Sequence, residues 1–138
     1  MESHRIVVVN DSPEFLETVR EILADAGYEV TAHHGDDLTA DAIAALRPDL
    51  VIVDLVLRRR SLRDQLAAGW DLLVLIRAHA QLTSVPIIVC SADTRQLRQR
   101  EGELQQVAAT YVLPKPFSID QLEAVVRSAL EDRQAEAS

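Results

Sequence analysis

The sequence predicts an α/β domain, a doubly wound parallel sheet in which five strands alternate with five helices, on three observations. Short apolar runs rich in β-branched residues, Ile6-Val7-Val8-Val9, Leu50-Val51-Ile52-Val53 and Ile87-Ile88-Val89-Cys90, show no inside/outside alternation. Strands of that kind are buried on both faces of a parallel sheet. The segments between them carry helical spacing and helix caps, and strand–helix alternation folds through right-handed crossovers. Finally, polar residues stand directly behind the runs: Asn10-Asp11, Asp54, Ser91 and Lys115. The carboxyl ends of the strands in an open α/β sheet form the crevice where ligands bind.

Taken in order, Arg5 to Val9 is the first strand, and Ser12 with Pro13 supplies an N-cap and a first helical residue. Phe15, Leu16, Val19, Ile22, Leu23 and Ala26 keep the helical period up to Gly27, which fits a helix stop. Tyr28 to Ala32 alternates weakly as a second strand, and His33 and His34 read as loop residues without a metal partner motif. A short helix over Asp36 to Leu46, with Ala42, Ile43 and Leu46 inward, ends before Pro48. The third strand runs into Asp54. By itself this carboxylate fits a chain turn or a cap as well as it fits chemistry.

Val56 to Ala68 is a long polar loop holding Arg58, Arg59, Arg60 and Arg63, most simply a solvated surface. Trp70 to Ala80 returns to helical spacing through Leu72, Leu75 and Ile76. Pro86 opens the fourth strand, which delivers Ser91-Ala92-Asp93 to the same sheet edge as Asp54. The polar helix expected over Thr94 to Ala109 has few apolar anchors and an internal Gly102. Thr110 to Leu113 is the last strand. Ser118 and Gln121 then make a capping box ahead of an amphipathic helix through Leu122, Val125, Val126, Ala129 and Leu130. One domain over 1–131 followed by a polar, fraying tail over 132–138 is the expected organisation.

The chain has 138 residues and a formal net charge of −8, which argues against direct nucleic-acid binding through a general basic surface. The single cysteine, Cys90, lies in an apolar run and reads as a core residue. No stretch is long and apolar enough to span a membrane, and Met1-Glu2-Ser3-His4-Arg5 leads into the first strand without a signal-type apolar region. A cytoplasmic location and no membrane partner are expected.

Two carboxylates and an amide at one sheet edge suit a hard, oxygen-seeking cation such as Mg²⁺. A carboxylate can attack phosphorus to give an acyl phosphate when cations offset the incoming charge. Lys115 offers a compact cation, and the Ser91 hydroxyl can hydrogen-bond a phosphoryl oxygen. These pieces, Ile6-Val7-Val8-Val9-Asn10-Asp11-Ser12-Pro13, Leu50 to Leu55, Val89-Cys90-Ser91-Ala92 and Leu113-Pro114-Lys115-Pro116-Phe117, stand in one order over nearly the whole chain. In that order the chain resembles the receiver domain of bacterial two-component response regulators.

The resemblance implies a flavodoxin-like sheet of order 2-1-3-4-5. It implies that Asp54 accepts a phosphoryl group from a sensor histidine kinase or phosphotransfer protein, with Asp11, Asp54 and the Val56 carbonyl binding Mg²⁺ and Asn10 an outer or weak ligand. Ser91 and Lys115 would engage the phosphoryl group, and the switch would be read around the fourth helix, fifth strand and fifth helix. Such a protein is not an enzyme beyond self-catalysed phosphoryl transfer and autodephosphorylation. Because the sequence ends after the fifth predicted helix, a stand-alone phosphoprotein signalling to a separate, unidentified downstream protein is expected; homodimerisation stays open.

Four departures from the family pattern matter. Asn10 replaces an acid, so Mg²⁺ binding should weaken. The loop behind Asp54 is longer than usual and has Arg58 where a proline is customary. The family's aromatic switch position, three before the lysine, is Val112, with Tyr111 one place earlier and expected to face the other side. Val56 and Asp93, two residues after Asp54 and Ser91, stand where the family controls access of water to the acyl phosphate; Val56 offers water no hydrogen bond and Asp93 can orient one, and no rate follows from the pair. Three rival readings compete with this one. A haloacid-dehalogenase-type phosphatase needs a second Asp where Val56 stands, and a flavin binder would not put Asp11 and Glu14 at its phosphate site. A pseudo-receiver, an interaction module that signals without phosphorylation, is the alternative that Asn10 and Val112 support.

Overall fold

A computed structural model describes residues 4–10, 12–34, 39–54, 73–91, 110–114 and 117–137. The five strands are β1 (Arg5–Val9), β2 (Glu29–His33), β3 (Leu50–Asp54), β4 (Ile87–Ser91) and β5 (Thr110–Pro114). They form one parallel sheet of order β2-β1-β3-β4-β5, as the resemblance implies. The described residues hold four helices: α1 (Pro13–Asp25), α2 (Ala40–Ala45), α3 (73–78) and α4 (Ile119–Ala137). The helix expected over 94–109 and the Arg-rich loop over 56–68 lie outside the described residues.

The unbroken apolar runs are explained by helices on both faces. Side chains alternate across a strand, so odd and even residues of one run enter different layers. Val7, Val9, Val51, Val53, Ile87 and Val89 pack beneath Ile43 of α2 and Leu73 and Ile76 of α3. On the other face Ile6, Val8, Ile52, Ile88 and Cys90 meet Leu16, Val19 and Leu23 of α1 and Leu122, Val126 and Ala129 of α4. Cys90 is a core residue, as expected.

Helix ends follow their caps. The Ser12 Oγ accepts from the Phe15 amide at 3.3 Å and Pro13 opens α1. At the far end Gly27, with φ +97°, lets its own amide reach the Ala24 carbonyl and the Tyr28 amide reach the Leu23 carbonyl. That left-handed closing turn is what a glycine permits. The Ser118–Gln121 capping box forms in both directions, at 3.1 and 2.8 Å.

Several local expectations are corrected. His33 is the last residue of β2 rather than a loop residue, because its backbone keeps pairing with Val9. In α2 the buried positions are Ile43 and Ala44, whereas Ala42 is exposed and Leu46 is 37% exposed. Thr39 caps this helix by accepting from the Ala42 amide, which starts it at Ala40 and rotates the inward stripe. In α3 Leu73 and Ile76 are buried, while Leu75 is 57% exposed, since positions three apart share one face. Leu72 lies outside the described residues. The polar segment expected to fray is helical through Ala137. No Gly or Pro interrupts it, and Arg133 fastens it by donating to the Pro48 carbonyl at 3.3 Å and to Asp49 at 3.2 Å.

Arg47 carries a left-handed φ of +52° directly after the α2 C-cap. A Cβ in that region is strained, and Pro48 behind it has no amide to complete the closing turn. Arg47→Gly relieves about 1–2 kcal/mol of left-handed strain against about 0.4–1 kcal/mol of added unfolded-chain entropy, so a net stabilisation of about 0.5–1 kcal/mol is expected, read as a higher urea midpoint with unchanged slope.

Candidate functional site

The register builds the site from its neighbours. Val9 pairs with Val53 in adjacent parallel strands, so the next residues, Asn10 and Asp54, come out side by side at the carboxyl edge. On the other flank Asp54 pairs with Cys90, and Ser91 pairs with Pro114, the residue before Lys115. Of Ser91 only the backbone is described, and Asp11, Val56 and Lys115 lie outside the described residues.

Asn10 and Asp54 are the buried polar residues of the described chain, 1% and 7% exposed. They are in direct contact: Asn10 Nδ2 donates to Asp54 Oδ2 at 2.9 Å. A hydrogen bond from a neutral donor to a carboxylate is worth about 1.5–3 kcal/mol net. The amide cannot turn over freely, because the Ser12 backbone N–H donates to Asn10 Oδ1 at 2.8 Å. The Asn10 backbone N–H continues the ladder to the His33 carbonyl at 3.1 Å. The two side-chain bonds thus hold Asn10 with its NH₂ group toward Asp54.

Sequence reasoning assigned Ser12 only its capping role; the residue also orients Asn10. The signal was available, since an Asn two residues before a Ser forms an Asx turn of this kind. A second feature not anticipated is the edge-to-face pair of Phe15 and Phe117, with centroids 6.0 Å apart and planes at 83°, which ties α1 to the start of the segment carrying the capping box.

Tyr111 and Val112 separate as strand alternation predicts. Tyr111 packs in the layer under α1 and α4, and its hydroxyl hydrogen-bonds the Asp132 carboxylate of α4. Val112, paired with Val89, belongs to the other face and is 40% exposed. The β4–β5 register runs unbroken from Ile87–Thr110 to Ser91–Pro114, so no bulge brings Tyr111 into the Val112 position.

The arrangement sets a buried carboxylate at the crevice end of the central strand, beside a fixed amide donor. Its chemistry is that of an oxygen ligand or a phosphorus nucleophile; the carboxylate is a donor of the kind Mg²⁺ takes, whereas the amide presents hydrogens to it.

Comparison with known proteins agrees with the fold. The family model of the response regulator receiver domain matches residues 6–127. The DNA-binding response regulator MtrA of Mycolicibacterium smegmatis is 37% identical over 136 residues, covering 96% of this chain and 54% of MtrA. The chain spans about half the length of the curated relatives it matches. Among solved structures, the Vibrio cholerae chemotaxis protein CheY4 superposes with a TM-score of 0.74 at 27% identity, covering 93% of this chain and 99% of CheY4. The receiver domain of a Pseudomonas aeruginosa sensor histidine kinase, with a magnesium ion coordinated in its active-site cleft, shares the fold with a TM-score of 0.75 at 23% identity, over 94% of this chain and 99% of that one.

Proposed function

The chain belongs to the response regulator receiver family, and from that membership we propose that it is a phosphoacceptor switch whose acceptor is Asp54. The observation that supports this most is the buried Asp54 carboxylate at the carboxyl end of β3, the central strand of the sheet. In this reading an Asp54 oxygen attacks the phosphorus of a phosphohistidine on a sensor kinase or phosphotransfer protein. One P–O bond forms to Asp54 and the P–N bond to the donor imidazole breaks. Lys115 offsets the added negative charge, and the Ser91 hydroxyl hydrogen-bonds a phosphoryl oxygen.

Asp11, Asp54 and the Val56 carbonyl would hold Mg²⁺, with Asn10 beside them. The ion when bound supplies positive charge to the phosphoryl oxygens. Readout would pass to a downstream protein through the surface around the helix expected over 94–109, β5 and α4, as a ligand-biased shift between two states. Receiver domains are signalling domains, so no turnover of a small-molecule substrate is proposed beyond self-catalysed transfer and hydrolysis at Asp54.

The second reading is the pseudo-receiver, an interaction module that signals without phosphorylation. It is favoured by one observation, the neutral amide of Asn10 bonded to the acceptor carboxylate. Intact-mass spectrometry after incubation with a small-molecule phosphodonor and Mg²⁺ separates the two. A single phosphoryl adduct that is lost when the metal is chelated is expected; an unchanged mass at saturating donor would favour the interaction module.

A further inference from the structure

In a carboxylate-lined metal site, what a neighbouring side chain presents matters as much as its charge. Asn10 presents N–H hydrogens: Nδ2 lies 2.9 Å from Asp54 Oδ2, and the pair is almost fully buried. To offer its oxygen to a cation instead, the amide would have to turn over. That would aim its NH₂ group at the Ser12 N–H, which now donates to Oδ1 at 2.8 Å, and would set two donors against each other. The amide is therefore fixed as a donor. Its partly positive hydrogens occupy the approach to Asp54 Oδ2 from the Asn10 side, where a divalent cation would be repelled.

We propose that Asn10 acts as a hydrogen-bond gate on Asp54, competing with Mg²⁺ for the Asp54 carboxylate and thereby setting the metal concentration at which the acceptor is loaded. Asn10 is a positioning residue here, not a ligand. The inference rests on the reading of Asp54 as the magnesium-dependent acceptor and adds to it a cause for reduced metal affinity distinct from the loss of one negative charge. The two causes make opposite predictions for a substitution that removes the amide without adding charge. If Asn10 were a weak ligand, removing it would weaken Mg²⁺ binding. If it is a competitor, removing it strengthens binding.

The test is titration calorimetry of Mg²⁺ into the whole chain without phosphodonor, for wild type, Asn10→Ala, Asn10→Ser and Asn10→Asp. The serine hydroxyl can still accept from the Ser12 N–H but is too short to reach Asp54, which guards against a folding defect in the alanine variant. Asn10→Ala and Asn10→Ser are expected to bind Mg²⁺ at least about tenfold tighter than wild type, the factor that the lower end of the net worth of a hydrogen bond to a carboxylate represents. Asn10→Asp should bind tighter still. Equal or weaker binding by both uncharged variants overturns the proposal.

Nuclear magnetic resonance on the wild type provides a readout independent of any substitution. The Asn10 side-chain NH₂ protons should exchange slowly with water in metal-free protein and faster at saturating Mg²⁺. Protection that is unchanged by the metal overturns the proposal. Absence of Mg²⁺ binding by all four proteins also overturns it, while the phosphoryl adduct separately decides the fate of Asp54 as acceptor.

Discussion

Asp54→Asn is expected to abolish phosphoryl labelling, bringing the adduct measured by intact mass from a stoichiometric signal to background. The effect is all-or-none because the nucleophile itself is removed. An amide nitrogen has its lone pair delocalised into the carbonyl, and the amide oxygen carries no full charge, so neither attacks phosphorus as a carboxylate does. The substitution is nearly isosteric, and the new amide oxygen can accept the bond that Asn10 Nδ2 now gives to Asp54 Oδ2. The fold is therefore expected to survive, with stability changed by no more than about 1–2 kcal/mol. Loss of label in a folded protein, checked by an unaltered circular dichroism spectrum, separates a chemical role from a structural one. Label that persists in the variant would move the acceptor elsewhere.

Ile88→Ala is expected to cost about 2–5 kcal/mol, enough to bring a domain of ordinary stability close to unfolding. Ile88 is 0% exposed and sits in β4 between Ile52 of β3 and Tyr111 of β5. Strands flank it on both sides and the layer of α1 and α4 covers it. The cavity left by the deleted carbons is walled by hydrogen-bonded backbone, which relaxes little, so the cost belongs in the upper part of the range. Urea denaturation followed by far-ultraviolet circular dichroism measures it. A loss below about 1 kcal/mol would mean that this layer is not packed as described.

The parts of the fold legible in the sequence are those where one physical cause acts alone. Ile6 to Val9 and Leu50 to Val53 could only be strands buried on both faces, and Ser12-Pro13 and Ser118/Gln121 mark helix starts through backbone amides that need a partner. The misreadings fall where two causes compete. In α2 the apolar spacing suggested Leu46 as an inward residue, but the Thr39 cap and the strained turn at Arg47 fix a six-residue helix that buries Ala44 instead. The last turns of α4 look like a solvated tail by composition. They stay helical because Arg133 reaches back to Pro48 and Asp49, a contact 84 or more residues away in sequence.

The same division holds at the site. That Asn10 and Asp54 share an edge follows from strand order, and so was legible. That Asn10 faces Asp54 with its nitrogen was not, because an amide offers either end, and the choice is made by the Ser12 N–H across an Asx turn. The separation of Tyr111 from Val112 was legible from alternation, whereas the tie from Tyr111 to Asp132 depended on the helix continuing past Glu131.

Trapping the acyl phosphate decides whether Asp54 carries the phosphoryl group. Borohydride reduces an aspartyl phosphate to homoserine, an altered residue that survives proteolysis and can be located by peptide mass spectrometry. After incubation with phosphodonor and Mg²⁺, homoserine is expected at position 54 and at no other aspartate. Conversion at a different aspartate, or none in protein that carries the adduct, would contradict it.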